Sequence, residues 1–270
     1  MDIKRYENAV CPFNTALFGD DEYSFSVLAR ILGRACRLTL TDGERFVICH
    51  SAYPYPVWVW AMRGLSVSEY EEIYSILKAE FLGERDIRFN TGYEFAEFIT
   101  KRAAKDGFLL EIADNMFAYR CDRVIPPKKA ADGRMIKATE EYIETAAGYL
   151  FDFSVTVGNE KWTLEDCRTK ARDFINDGRL FFWLDGKGEI GAMASFDISD
   201  DKGSVGSVYT PPEKRRHGYA SCLVYGITRL IIEKGKIPTL YTDADYAASN
   251  ACYTAIGYLK MGALCALKQI

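Results

Sequence analysis

Between Val205 and Ile231 the chain reads as a strand running into two prolines, a basic turn and then a helix, an order few folds accommodate. Val205 to Thr210 is an apolar, β-branched stretch. Pro211 and Pro212 end it, because proline has no N–H to give to a ladder. Arg215, Arg216 and His217 make the turn basic, and Gly218 lets the backbone come close to another group. Leu223, Ile227, Leu230 and Ile231 then fall on one side at helical spacing. The first turn of such a helix has unpaired N–H groups and the positive end of the dipole, so it suits a phosphate or pyrophosphate. By itself, Arg215-x-x-Gly218-x-Ala220 is a short pattern that a basic surface turn capping a core helix would also produce.

Turn signals and periodicity predict the elements around this segment. Thr139 opens a helix to about Phe153, and Thr163-Leu164-Glu165-Asp166 has the form of a capping box for a helix ending near Gly178. Leu180–Leu184 reads as a strand, Asp185–Gly188 as a hairpin turn and Ile190–Ile198 as the returning strand. A turn at Asp200–Gly203 leads into Val205–Thr210, and the helix after the basic turn runs to about Lys234. A strand at Thr239–Thr242, a helix at Ala247–Ile256 and a strand at Leu264–Leu267 complete this half.

The first half predicts a helix over Glu22–Cys36, strands at Arg45–Ser51 and Pro56–Ala61, and a helix over Ser68–Phe81. A short strand at Ile87–Phe89, a helix over Tyr93–Lys105 and a strand from Phe108 follow. Proline, glycine and charge cluster at Pro126-Pro127-Lys128-Lys129-Ala130-Ala131-Asp132-Gly133, which places a junction between residues 1–130 and 131–270. The expected fold class is α/β (α+β): two tandem domains, each with a mixed, mostly antiparallel central sheet flanked by helices.

With 270 residues, 49% of them hydrophobic, the chain has material for two cores. No run of 18 apolar residues occurs, and Met1-Asp2-Ile3-Lys4-Arg5 does not read as a signal peptide, so neither membrane nor export is expected. The net charge of −4 argues against nucleic acid as a partner. Eight cysteines without a Cys-x-x-Cys pair, and only two histidines, point to reduced thiols in the cytoplasm and to no metal site.

The Arg215–Ser221 segment resembles the acetyl-CoA pyrophosphate loop of the GNAT superfamily of N-acetyltransferases, and the resemblance extends downstream. Leu240–Asp245 is similar to the strand that follows, and Ser249-Asn250-Ala251-Cys252-Tyr253-Thr254-Ala255-Ile256-Gly257-Tyr258 to the next helix, which carries a tyrosine and ends in Gly-aromatic. The element order of the second half is also the GNAT order. The first half repeats its later elements, but Met62-Arg63-Gly64-Leu65-Ser66-Val67 lacks Arg-x-x-Gly-x-Ala. A degenerate GNAT-like domain that does not bind CoA is expected there, with an unrelated α+β domain as the alternative.

The resemblance implies a division of labour. Arg215, Arg216, His217, Gly218, Tyr219, Ala220 and Ser221 would take the pyrophosphate of acetyl-CoA through backbone amides and positive charge, although Arg216 could simply face solvent. Val208, Tyr209 and Thr210 would pair with the pantetheine arm, Val208 N–H also serving the thioester oxygen. Tyr253 stands where the superfamily keeps its general acid, with core packing as the other reading; Ser249 and Asn250 would cap that helix or touch the CoA arm. Glu189 and Asp243 are the carboxylates offered as general base, and a water chain would serve instead. Tyr246-Ala247 replaces the Asn-Pro of many relatives.

The expected reaction is direct transfer of acetyl from acetyl-CoA to a primary amine, small-molecule or peptide, by a monomer or homodimer without a metal. A catalytically silent acyl-CoA sensor is the alternative, and a transferase for a longer acyl or aminoacyl donor the third reading. Cys222 and Cys252 lack a histidine partner and read as small apolar residues. Trp58/Trp60 and Phe181/Phe182/Trp183 suit either a core or an acceptor cleft, and His50-Ser51 lacks the Gly-x-Ser-x-Gly of a hydrolase.

Overall fold

In the computed structural model, residues 2–84, 86–157, 162–199 and 201–270 are described. The elements run β1 (Lys4–Ala9), α1 (Ser26–Leu32), β2 (Cys36–Thr41), β3 (Phe46–His50), β4 (Val57–Ala61), α2 (Val67–Glu80), β5 (Arg88–Thr91), α3 (Tyr93–Lys105) and β6 (Leu110–Arg120). They continue as β7 (Arg134–Lys137), α4 (Ile143–Thr156), α5 (Leu164–Asn176), β8 (Leu180–Leu184), β9 (Ile190–Ile198) and β10 (Lys202–Tyr209). α6 (Tyr219–Glu233), β11 (Ile237–Asp243), α7 (Ala247–Ala255) and β12 (Leu259–Gln269) complete the chain.

Two units result. The first comprises Met1–Ala118, Thr242–Tyr246 and Met261–Ile270, and the second Tyr119–Tyr241 and Ala247–Lys260. The strand order is β1-β2-β3-β4-β5-β12-β6 in the first and β11-β10-β9-β8-β7 in the second. Each contains an antiparallel meander, a helix, and a strand parallel to the last meander strand. In the first these are β2-β3-β4, α2 and β5; in the second, β8-β9-β10, α6 and β11. The architecture is the expected mixed, mostly antiparallel sheet with flanking helices.

The division differs from a cut at 130/131. Met261–Ile270 lies with the first unit because Cys265 and Leu267 are buried in the same core as Val57, Val59, Phe89 and Ile99. Antiparallel pairs Cys265↔Thr91 and Leu267↔Phe89 hold it there. The core of the second unit joins Ala146, Leu150 and Phe174 of the α4–α5 layer to Phe182, Met193 and Tyr209 of the sheet.

Local signals explain some element starts. Thr163 caps α5 through a reciprocal box with Asp166, as its sequence predicts. The helix expected over Glu22–Cys36 is shorter: Thr15–Asp21 forms a 3₁₀ segment, α1 ends at Leu32, and Cys36 starts β2. Gly33 terminates α1, and β-branched Thr39 and Thr41 pair with Cys49 and Val47. β1, β2 and β7 lie outside the elements read from the sequence. Ser199 N–H donates to the Lys202 carbonyl (2.9 Å) across the turn before β10, in which Asp200 lies outside the described residues. Trp58 and Trp60 are buried against Phe25, and against Phe13 and Phe18, respectively, so they are core residues.

Candidate active site

β10 departs from regularity at its end. Its antiparallel pairing with β9 runs from Gly203↔Ile198 to Gly206↔Ser195, then shifts register to Tyr209↔Met193. Ser207 adopts φ +49°, and with Val208 it forms a bulge that leaves both residues out of the β9 register. On the other side, the parallel pairing with β11 ends at Val205↔Leu240. Ser207 and Val208 therefore lie beyond the end of one ladder and within a break of the other. Gly206-Ser207 is the only hint of this bulge in the sequence.

The basic turn follows. Pro212–Lys214 makes one 3₁₀ turn after Pro211. Lys214 Nζ donates to Asp185 Oδ2 (2.9 Å) and Glu189 Oε2 (2.5 Å), which fastens the turn to the β8–β9 hairpin. The same ammonium, and then the Glu189 backbone N–H, hold the Asp185 carboxyl down to about 2. Arg215 Nε donates to the Thr210 carbonyl at 3.1 Å, so this arginine closes the turn on the strand end. Arg216 is exposed and has φ +65°, a left-handed conformation uncommon for a non-glycine residue. The His217 ring stacks on Tyr219 with centroids 5.4 Å apart.

Gly218 is the N-cap of α6 at φ +85°, and no side chain caps the helix. A Cβ at Gly218 would meet only Ala131 Cβ at 3.8 Å and the Lys129 carbonyl at 4.0 Å. The backbone conformation, rather than crowding, is what calls for glycine here. α6 has no acidic residue in its first turn, so its positive end is not neutralised locally. Tyr219 is buried, and Ala220 and Ser221 half-buried, in that first turn. Ser221 Oγ and Cys252 Sγ lie 3.0 Å apart, joining the start of α6 to α7.

Tyr253 on α7 is buried, with its ring 6.2 Å from that of Tyr258. Thr228 Oγ1 donates to the Val224 carbonyl, so in the 2.8 Å contact with Tyr258 it accepts the phenol proton. Tyr258 is thus the structural anchor beside Tyr253. Asn250 Oδ1 accepts the Tyr119 O–H (3.1 Å), a role that sequence spacing did not show. Ser249 is the third residue of α7 rather than its cap. Glu189 lies in the second unit and its carboxylate carries Lys214; Asp243 lies in the first unit, where its Oδ1 accepts the Asp245 N–H at 2.8 Å. Asp152, on α4, accepts the Tyr209 O–H at 3.2 Å and was not singled out from the sequence.

All eight cysteines are free. Cys222 is buried, and burial raises the Cys252 thiol, which disfavours a thiolate nucleophile. His50 is buried and its Nδ1 accepts from Arg37 Nη1 (2.9 Å), so it is a core residue. Phe181 and Phe182 are buried, and Trp183 Nε1 donates to the Asp132 carbonyl (2.7 Å). Among the described residues no group of three His, Cys, Asp or Glu side chains is placed to hold a metal, and no helix is long and apolar enough to cross a membrane. In the first unit, a cavity of about 260 Å³ is lined by Asp21, Arg63, Tyr70, Tyr93 and Glu94 among others.

Residues 185–266 match the family of FR47-like proteins. No curated protein matches the chain. Among solved structures, a GCN5-related N-acetyltransferase from Sphaerobacter thermophilus superposes with a TM-score of 0.66 at 13% identity, covering 99% of this chain and 95% of that one. A GCN5-related N-acetyltransferase from Kribbella flavida gives 0.61 at 16% identity, covering 92% and 94%. A GNAT-family acetyltransferase from Colwellia psychrerythraea gives 0.57 at 12% identity, covering 100% of both chains. At these identities the likeness is one of fold, and it bears out the resemblance read from the sequence. The chain has the fold of the GNAT acetyltransferases, and the part of it that matches the FR47-like family, residues 185–266, contains the Arg215–Ser221 loop.

Proposed function

We propose that the second unit transfers an acetyl group from acetyl-CoA to a primary amine, by direct attack within a ternary complex. The observation that carries this reading is the conjunction of an uncapped, glycine-started α6 with a bulged strand end immediately before it. These residues fit the cosubstrate. The Gly218–Ser221 amides, with Arg216 and His217 at the rim, suit a diphosphate. Val208 and Thr210, beyond the end of the β11 ladder, suit an amide-bearing arm.

Acetyl-CoA supplies the thioester whose acyl carbon the amine attacks. Val208 N–H, freed from the β9 register by the bulge, donates to the oxygen on which negative charge develops. Tyr253 Oη gives its proton to the departing sulfur, a role a phenol fills because it stays protonated at neutral pH. Glu189 is better suited to holding the loop, since Lys214 occupies its carboxylate. Asp243 carries a turn hydrogen bond, and water takes the amine's proton. Free cysteines throughout fit a reducing compartment such as the cytoplasm.

The test mixes purified protein, acetyl-CoA and a pooled amine library and follows free thiol. Amine-dependent thiol release is expected. The burial of Tyr253 favours one second reading, a silent acyl-CoA sensor, and tight acetyl-CoA binding without release on any amine would establish that reading instead.

A further inference from the structure

The segment before β7 does more than connect. Residues 129–133 run along the start of α6 and are fastened to it. The Lys129 carbonyl and Ala131 Cβ flank the place where a Gly218 side chain would stand, and Ala131 N–H donates to Cys222 Sγ (3.3 Å). The Asp132 carboxylate accepts the Tyr219 O–H. The same aspartate is tied to the β8–β9 hairpin: Oδ2 accepts the Gly186 N–H (2.9 Å), and its carbonyl accepts from Trp183 Nε1 (2.7 Å). Gly133 follows at φ +94°, where a side chain would overlap the Leu184 carbonyl. Asp132 is thereby held against β8 with its carboxylate on one phenol.

That phenol belongs to the first turn of α6. Tyr219 is 6% exposed, and a buried phenol needs a partner for its O–H, which Asp132 supplies. Its ring lies directly against Gly191 of β9: a Cβ there would come within 2.5 Å of Tyr219 Cδ2 and 2.9 Å of Cε2. The His217 ring stacks on it with the planes 14° apart. Carboxylate, glycine and imidazole together fix this side chain, and the Tyr219 N–H is one of the amides that α6 itself leaves unpaired.

We propose that Asp132 is a positioning residue for the diphosphate of acetyl-CoA: through Tyr219, seated on Gly191, it presets the first-turn amides of α6 and the His217 ring. This rests on the acetyl-CoA site of the acetyl-transfer reading. Donors held in place before the ligand arrives avoid the ordering cost that binding otherwise carries. Asp132 acts on the phenol and not on the ligand, whose negative charge would repel it.

The test measures acetyl-CoA affinity by calorimetry. S-acetylpantetheine, which keeps the arm and thioester but lacks the diphosphate, is titrated by ligand-observed NMR. Asp132→Ala should weaken acetyl-CoA by about 10-fold, the range for a hydrogen bond to a charged group, and leave S-acetylpantetheine within about twofold. Asp132→Asn, which can still accept, should be intermediate. Tyr219→Phe should match Asp132→Ala, and the double variant should lose no more than either alone. Gly191→Ala, which displaces the Tyr219 ring, should show the same selective loss; if it does not fold, the Asp132 and Tyr219 variants decide. Unchanged acetyl-CoA affinity in Asp132→Ala overturns the proposal, as do additive losses in the double variant. Parallel weakening of both ligands with a lower melting temperature marks a purely structural role and also overturns it. Failure of acetyl-CoA to bind the wild type removes the acetyl-transfer reading and this proposal with it; binding that ignores Asp132 removes only this proposal.

Discussion

The helices that follow the two meanders, α2 and α6, begin in opposite ways. Ser66 caps α2: its Oγ accepts the Glu69 N–H (3.3 Å), and Glu69 Oε2 accepts the Ser66 N–H (2.8 Å). Arg45 Nη1 adds a 2.6 Å bond to the same carboxylate. α6 begins with a glycine, has no capping side chain and carries no acid in its first turn. The strands before them differ in the same sense. β3 and β4 pair without interruption from Phe46↔Ala61 to Cys49↔Trp58, whereas β9 and β10 are broken by a bulge. The first unit thus covers its helix start with its own carboxylate, and the second has no carboxylate there. A repeated topology thus does not repeat its local detail: the second unit differs by a bulge and an uncapped helix start.

The strongest challenge to this contrast is Gly218→Glu, which gives α6 a left-handed non-glycine residue and a carboxylate at once. Acetyl-CoA affinity should fall by at least about 100-fold by calorimetry, and wild-type affinity would break the comparison. Tyr253→Phe should lower kcat by about 10- to 100-fold while the Kd for acetyl-CoA stays within about twofold. Unchanged turnover would remove the phenol from the chemistry. In the first unit, Ser66→Ala should cost about 1 kcal/mol in denaturant unfolding, with acetyl-CoA bound at one molecule per chain before and after. Two molecules per chain would show that α2 does not differ from α6 as described.

The smallest effect concerns pH. Asp185 titrates lower in the folded chain than its unfolded value, chiefly through Lys214, so its contribution is present above about pH 4. That contribution fades as pH falls toward about 2. Thermal melts of the wild type and Asp185→Asn should therefore converge on acidification through this window. A constant gap down to pH 2 would show that Lys214 does not tether the loop through Asp185.

Much of the frame was legible in the residues. Leu180–Leu184, Ile190–Ile198 and Tyr93–Lys105 have the bounds that periodicity predicts, because their apolar spacing and flanking turn residues act locally. β2 is not legible in the residues: Cys36–Thr41 owes its strand to pairing with β3, and the Glu22–Cys36 stretch also reads as helical. The basic turn and Gly218 were legible in the chemical sense that charge and glycine lie together; the bulge at Ser207 was not, since it depends on the opposing register of β9.

By itself, the sequence determined where many of the strands and helices form and where a basic, glycine-started turn interrupts them. Side-chain shape, periodicity and capping chemistry act over a few residues, and they are visible there. The tertiary structure alone decided that Met261–Ile270 completes the first unit's sheet and that Asp152 reaches Tyr209 across 57 residues of chain. Such partners are chosen by packing between distant segments, and no local spacing encodes which segments will meet.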